Sequence, residues 1–232
     1  MEKFISDAAF LFSLRDLDIS SDHIEAAMGY STGDATNYRN VITTLLHDAA
    51  LYLDISGYYR IIREFTVGEN TITIENHTLS TQLYIAKQLQ GAEAIAIYVC
   101  TAGDRIKQYA DELMFRGDWL EGYIIDTIGS EVVEKAARKI LQQLGNVVRL
   151  DGFSLSTTFC PGYCDWEMSD QKLLFQLLPQ TYSSVKLTES YLMNPIKSVN
   201  GIVGIGREME KINNKCQLCN NLTCFRRDKQ IS

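Results

Sequence analysis

One run of seven residues, Ala94-Ile95-Ala96-Ile97-Tyr98-Val99-Cys100, most narrows what this chain can fold into. It falls far short of the roughly 20 apolar residues that a membrane helix needs. Its β-branched and aromatic content suits a strand buried on both faces. The flanks support that reading. Ahead of it, Ser80 is placed to cap a helix with Leu83, Ala86 and Leu89 on one side and Gly91 just past its end. Behind it, Thr101-Ala102-Gly103 makes a tight turn, and Asp104 starts a helix through Ile106, Tyr109, Ala110, Leu113 and Met114 that Gly117 stops.

The remaining elements follow from periodicity. Ser21 opens a short helix ended by Gly29, and after Ser31-Thr32-Gly33, Asp34 can cap a helix bearing Val41, Ile42, Leu45, Leu46, Ala49 and Leu53. Tyr58 to Val67 and Thr71 to Ile74 read as strands around a Gly68-Glu69-Asn70 turn. The apolar set from Leu120 to Leu144 predicts one or two helices, with Gly129 the natural point for a break or kink. Val147 to Phe159 suits a strand leading into Pro161-Gly162-Tyr163, and Ser169 caps a helix that Pro179 terminates. Short strands at Ser184 to Leu187 and Ile202 to Ile205 complete the set. Strands this irregularly spaced among helices predict an α+β fold with a mixed or antiparallel sheet and packed helices, not a doubly wound one.

Charge and cysteine placement bound the function. With 22 basic and 29 acidic residues the chain carries −7, which disfavours phosphate backbones and anionic membranes, so neither nucleic acid nor a membrane is expected as a partner. The N-terminus, interrupted by Asp7, lacks a small-residue cleavage site and is read as cytoplasmic. Residues 207–232 carry +3 and the rest −10, which sets the tail apart. Three of the six cysteines, Cys216, Cys219 and Cys224, crowd into that tail. Their CxxCx4C spacing can bring three thiolates to a zinc ion or an iron-sulfur cluster, with a fourth ligand from Cys160, Cys164, a histidine, substrate or partner. The alternative is an exposed tail with incidental cysteines.

Other motifs carry double readings. Pro161-Gly162-Tyr163 is a turn that could cradle an adenosine or an amino-acid backbone, and equally a structural turn. Thr101-Ala102-Gly103 could present amides to an anion, but it lacks the further glycines of a nucleotide loop, and a plain strand-to-helix turn fits better. Leu187-Thr188-Glu189-Ser190 could bind ligand hydroxyls or cap a helix. His23, His47 and His77 sit in a helix start, a helix and a turn, with no serine elbow or HExxH spacing, so a hydrolase triad is not expected.

Three stretches combine into a larger pattern. The first is Cys100-Thr101-Ala102-Gly103 with Asp126, Gly129-Ser130 and Glu134, and the second is Pro161-Gly162-Tyr163 with Asp165-Trp166. The third is Leu187-Thr188-Glu189-Ser190 with Met193, Pro195, Ser198, Val199 and Gly201, where Asn200 stands in place of a serine. Their order resembles the reactivation (S-adenosylmethionine-binding) domain of cobalamin-dependent methionine synthase, in its free-standing form, over roughly residues 75 to 206.

The resemblance implies a C-shaped α+β domain that binds S-adenosylmethionine and docks over cobalamin carried by a corrinoid protein or by methionine synthase modules. There, cob(II)alamin is reduced by one electron from a donor protein and methylated, which restores methylcobalamin. By position, Gly162 and Tyr163 would line the S-adenosylmethionine site with Cys160, Thr158, Glu189 and Ser190, and Glu134 would meet the ligand's amino group. Thr158 occupies the place of an arginine that clamps the methionine carboxylate in the family, and the cysteine-rich tail replaces a tyrosine-bearing segment. The implied organisation is an N-terminal helical and strand segment (1–75), an activation-like domain (76–206) and the tail (207–232). The function expected is that of a methyltransferase-associated accessory subunit, a reactivation factor for a cobalamin-dependent methyltransferase. The alternative is a non-catalytic metal or iron-sulfur electron-transfer module serving a corrinoid protein.

Overall fold

The computed structural model describes residues 7–30, 38–179, 182 and 184–212. Its elements in chain order are β1 (Ala8–Phe12), α1 (Ser21–Ala27), α2 (Arg39–Ala49), β2 (Ile55–Ile62), β3 (Phe65–Val67), β4 (Thr71–Ile74), β5 (His77–Ser80), α3 (Leu83–Leu89) and β6 (Ala94–Thr101). They continue as α4 (Arg105–Arg116), α5 (Trp119–Arg149), β7 (Ser154–Leu155), α6 (Gln171–Gln176), β8 (Lys186–Leu187), β9 (Met193–Asn194) and β10 (Ser198–Gly206).

β6 is the central strand of a five-stranded antiparallel sheet in the order β1-β2-β6-β10-β7. All eight of its residues are buried. Alternation divides them between two cores: Ala94, Ala96, Tyr98 and Cys100 join one, while Ile95, Ile97 and Val99 join the other. The expected α+β class with an antiparallel sheet and packed helices is the one observed. The strands of residues 8–62 lie in this same sheet beside β6.

The first core is helical. α5 runs 31 residues, and Ile124, Ile128, Val132, Ala136, Ile140, Leu144 and Val148 fall on one face at a spacing of four, all within this core. Its close approach to the sheet depends on small residues. A side chain at Gly57 of β2 would lie 2.3 Å from Ile140 Cδ1, and Ala94 and Ala96 keep the same face of β6 low. The second core lies across the sheet, where β3, β4 and β5 form a small antiparallel sheet and α3 and α6 add Ile85, Leu89 and Leu174. Arg60 ties the layers together by donating to the Leu177 carbonyl (2.6 Å) and pairing with Glu75 (2.6 Å).

Several boundaries differ from the sequence expectation, each for a packing reason. α5 passes Gly129 unbroken, because the missing side chain there leaves room for Ile106 and Lys197 against the helix. It also absorbs Val147 and Val148, assigned above to a strand, since Val148 continues the buried spacing from Leu144. The strand from Val147 to Phe159 reduces to β7 plus a bridge between Phe159 and Ile202. Tyr58 to Val67 divides into β2 and β3, which belong to different sheets. Ser80 ends β5 and does not cap α3, which starts after Gln82, and His77 is on a strand. Ser169 lies within a short 3-10 turn, Met168–Asp170, ahead of α6. Asp34 and the tail cysteines Cys216, Cys219 and Cys224 lie outside the described residues.

Two glycines of α5 separate close packing from helix propensity. A side chain on Gly122 would meet Met114 Cγ at 2.6 Å and the Ala110 carbonyl at 2.9 Å, so Gly122→Ala is expected to cost about 1–3 kcal/mol despite alanine's better propensity. At Gly145 the nearest atom is Leu155 Cδ1 at 3.5 Å, an ordinary contact, and Gly145→Ala is expected to gain about 0.5–1 kcal/mol. Urea unfolding of the two variants checks both signs.

Candidate functional site

β10 is longer than its outer neighbour. β7 covers Ile205 and Gly206, and Phe159 bridges Ile202. From Gly201 back to Ser198, no strand among the described residues continues the ladder on that side. A cavity of about 470 Å³ lies along this edge. Glu134 and Ala137 of α5 form one wall with Tyr98 of β6, and Thr158, Cys160, Pro161, Tyr163 and Met168 form another. Leu192, Met193 and Ile196 close the third, with Ser198, Val199 and Asn200 along the strand.

The wall from residue 160 to 168 is a turn held from behind. Gly162 has φ +83°, and its amide donates to the Trp166 carbonyl (2.8 Å). A side chain there would lie 2.4 Å from Met168 Cε, so glycine both permits the turn and leaves room for Met168. Cys164 and Asp165 adopt left-handed conformations (φ 56° and 57°), which are unfavourable for residues with a Cβ. Side chains around the start of α3 hold them: Tyr84 donates to the Cys164 carbonyl, and Gln82 Nε2 donates to that of Asp165 (2.8 Å). Trp166 is buried, and its indole donates to Asp170 (2.8 Å), whose carboxylate also accepts the Ser80 amide (2.7 Å).

The opposite wall is anchored through Lys197. Its ammonium pairs with Asp126 (2.8 Å) and meets Ser130 Oγ (2.9 Å), and its carbonyl accepts the Ala102 amide (2.9 Å). Gly103 donates to Thr101 Oγ1 (3.1 Å). The amides of Ala102 and Gly103 are thus occupied within the fold, and this segment is the plain turn between β6 and α4. Asp126 and Ser130, part of the motif pattern, serve the same anchor.

Electrostatically the cavity is one-sided. Among the described residues Glu134 is its single acidic lining side chain, no lysine or arginine lines it, and none forms an ion pair with Glu134. Burial pushes the Tyr98 phenol far above its usual range, reinforced by Cys160 and Glu134 and opposed by a hydrogen bond from Thr158. Burial likewise drives the Cys100 thiol up to about 12; the neighbouring Glu134 charge adds to this, and a backbone hydrogen bond at Thr101 opposes it. Cys160 and Cys164 are partly exposed.

Of the residues singled out from the sequence, the structure brings Glu134, Thr158, Cys160 and Tyr163 together around this cavity. Gly162 lies in the turn behind them. Glu189 and Ser190 are exposed in the loop between β8 and β9 and do not line the cavity, where the Thr188 and Ser190 hydroxyls are 3.0 Å apart. Sequence reasoning did not assign Tyr98, Gln171 or Asn200 to the site. Asn200 carried a signal, as the departure within an otherwise matching stretch. Among the described residues no group of three histidine, cysteine or acidic side chains gathers to hold a metal. No helix among them is long and apolar enough to cross a membrane.

No family model matches the sequence, and no curated protein does. A solved structure does match in fold: the crystal structure of the MetH reactivation domain bound to AdoHcy superposes with a TM-score of 0.66 at 14% identity. The match covers 90% of this chain and 81% of that one, extending beyond the motif-bearing residues 75 to 206. The chain therefore has the fold of the MetH reactivation domain, as the motif pattern implied.

The buried thiol makes a prediction about alkaline stability. The unfolded chain releases the Cys100 proton near its ordinary value of 9.0, while the folded chain keeps it to about 12. Between those values the unfolded state binds fewer protons, so this contribution to stability is complete below pH 9 and is lost as pH rises toward 12. Urea midpoints measured from pH 8 to above 10 should fall, and more shallowly in Cys100→Ala. An equal slope in both proteins would show that the thiol is not responsible.

Proposed function

We propose that this chain binds S-adenosylmethionine in the cavity along β10 and serves as a reactivation factor for a cobalamin-dependent methyltransferase, a partner that carries the corrinoid. One coincidence supports the reading. Glu134, Thr158, Cys160 and Tyr163, selected from a motif pattern, line a single cavity in a fold shared with a reactivation domain crystallised with AdoHcy. AdoHcy is what S-adenosylmethionine becomes on losing its methyl group.

The residues present suit the methyl donor. Glu134 offers an uncompensated carboxylate to the ligand's ammonium and sulfonium charges. Met168, Met193, Ile196 and Pro161 supply apolar and thioether surface, and the partly exposed Tyr163 ring supplies a flat face at the mouth. Thr158 is engaged with Tyr98 and carries no charge, so binding depends on Glu134 and the walls in place of a guanidinium clamp. The partner's corrinoid supplies the cobalt that accepts the methyl group, after one-electron reduction by a donor protein. This chain's part is to hold the sulfonium methyl toward that partner and keep bulk water from it.

Calorimetric titration with S-adenosylmethionine tests the reading. The native protein should bind, Glu134→Gln should weaken binding about tenfold (about 1.4 kcal/mol), and Tyr163→Ala should weaken it less. Absence of binding by the native protein, or unchanged binding by Glu134→Gln, would overturn the assignment.

A further inference from the structure

Resting on that reading, we infer that Asn200 is the residue that recognises the ligand's adenine base. It lines the cavity at 5% exposure, yet its Nδ2 is fully buried and has no hydrogen-bond partner among the described residues. The other uncharged polar side chains along the wall already have partners. Gln171 Nε2 donates to the Tyr191 carbonyl (2.6 Å), Ser198 Oγ donates to the Pro195 carbonyl (2.6 Å), and Thr158 bonds to Tyr98. A buried donor without a partner is uncommon in a folded protein. The χ2 torsion of asparagine is soft, so this amide is free to reorient toward a ligand in the cavity.

Strand alternation assigns this amide to one end of the ligand. Val203 and Ile205 face the helical core, with Val199 packed against it, and Glu134 of α5 approaches from that side. Asn200 shares its face with Ile202, which belongs to the opposite core together with Phe159. The cavity therefore wraps the edge of β10, with an anion on one side and a neutral amide on the other. An S-adenosyl amino acid has the matching polarity, a cationic amino-acid end and a neutral base. With the cation at Glu134, the base reaches Asn200, and a carboxamide pairs with the adjacent donor and acceptor of adenine in two hydrogen bonds.

The test is calorimetry of the native protein, Asn200→Ala and Asn200→Ser with AdoHcy and with its analogue lacking the purine 6-amino group. The native protein should favour AdoHcy by about tenfold or more, because the analogue leaves the amide half paired. In both variants the preference should shrink to within about threefold. Asn200→Ser supplies a folded comparison should the alanine variant lose structure, and thermal melting identifies that case. A preference that persists in the folded variants, or an equal loss of both ligands, would overturn the role of Asn200 alone. So would native binding without discrimination. Failure of the native protein to bind AdoHcy at all would overturn this inference together with the proposed function.

Discussion

The double burial of β6 is the constraint on which the rest of the structure depends. A strand covered on both faces has to satisfy two different layers with one alternating sequence. Here the division is by volume, Tyr98 apart: Ala94, Ala96 and Cys100 keep one face low beside the cavity-lining Tyr98, while Ile95, Ile97 and Val99 raise the other. The low face admits a long helix at close range, and Gly57 on the neighbouring strand extends that shallow surface under Ile140. The high face is met by branched side chains from the small sheet and α3, which interdigitate with it. Exchanging the two sets would create clashes beneath α5 and voids beneath α3, so a single shift of register would undo both layers.

The cavity is a consequence of the same sheet. β10 takes its length from pairing along all eight residues of β6, whereas β7 covers only its far end. The remaining edge would expose unpaired backbone groups, a feature that folded proteins cover or block. Coverage comes from the 160–168 turn and the β8–β9 hairpin, which stand off from the strand and do not pair with it. The space they enclose is about 470 Å³. Its walls are rigid because each is tied to a different part of the fold: the turn to α3 through Tyr84 and Gln82, the hairpin side to α5 through Lys197.

How much of this could be read in the sequence follows the same physics. β6, α4 and the Gly162 turn were legible because burial on both faces, helical spacing ended by Gly117, and a Pro-Gly pair are all local signals. β1 was missed because its residues alternate between half-buried and exposed at the sheet's edge, so its hydrophobic pattern is weak. Whether α5 is one helix or two stayed open at Gly129 because propensity argues against glycine in a helix, while the reason for its presence, the packing of Ile106, is a contact from another helix. The candidate site divides likewise. Glu134, Thr158, Cys160 and Tyr163 were marked by motif position, but Tyr98 looked like core, and the role proposed for Asn200 depends on which face of β10 its side chain takes. That face is settled by pairing with β6 and by the bridge to Phe159, neither of which a single sequence states.

Charge placement around the cavity carries the synthesis one step further. Lys197 follows the cavity-lining Ile196 and is only 11% exposed, so an unpaired ammonium there would compete with any cationic ligand for Glu134. Asp126 consumes that charge at 2.8 Å, and Ser130 accepts a further hydrogen bond from it. The arrangement lets lysine act as a structural anchor between α5 and the segment leading into β10 while leaving Glu134 electrostatically free. The Tyr98 phenol, held neutral by burial with Glu134 adding to the effect, contributes no opposing charge. An acidic group kept uncompensated in a partly buried cavity is costly without a counter-charge. A cationic ligand would meet that cost, and the positively charged methyl donor proposed for this cavity is a ligand of that kind.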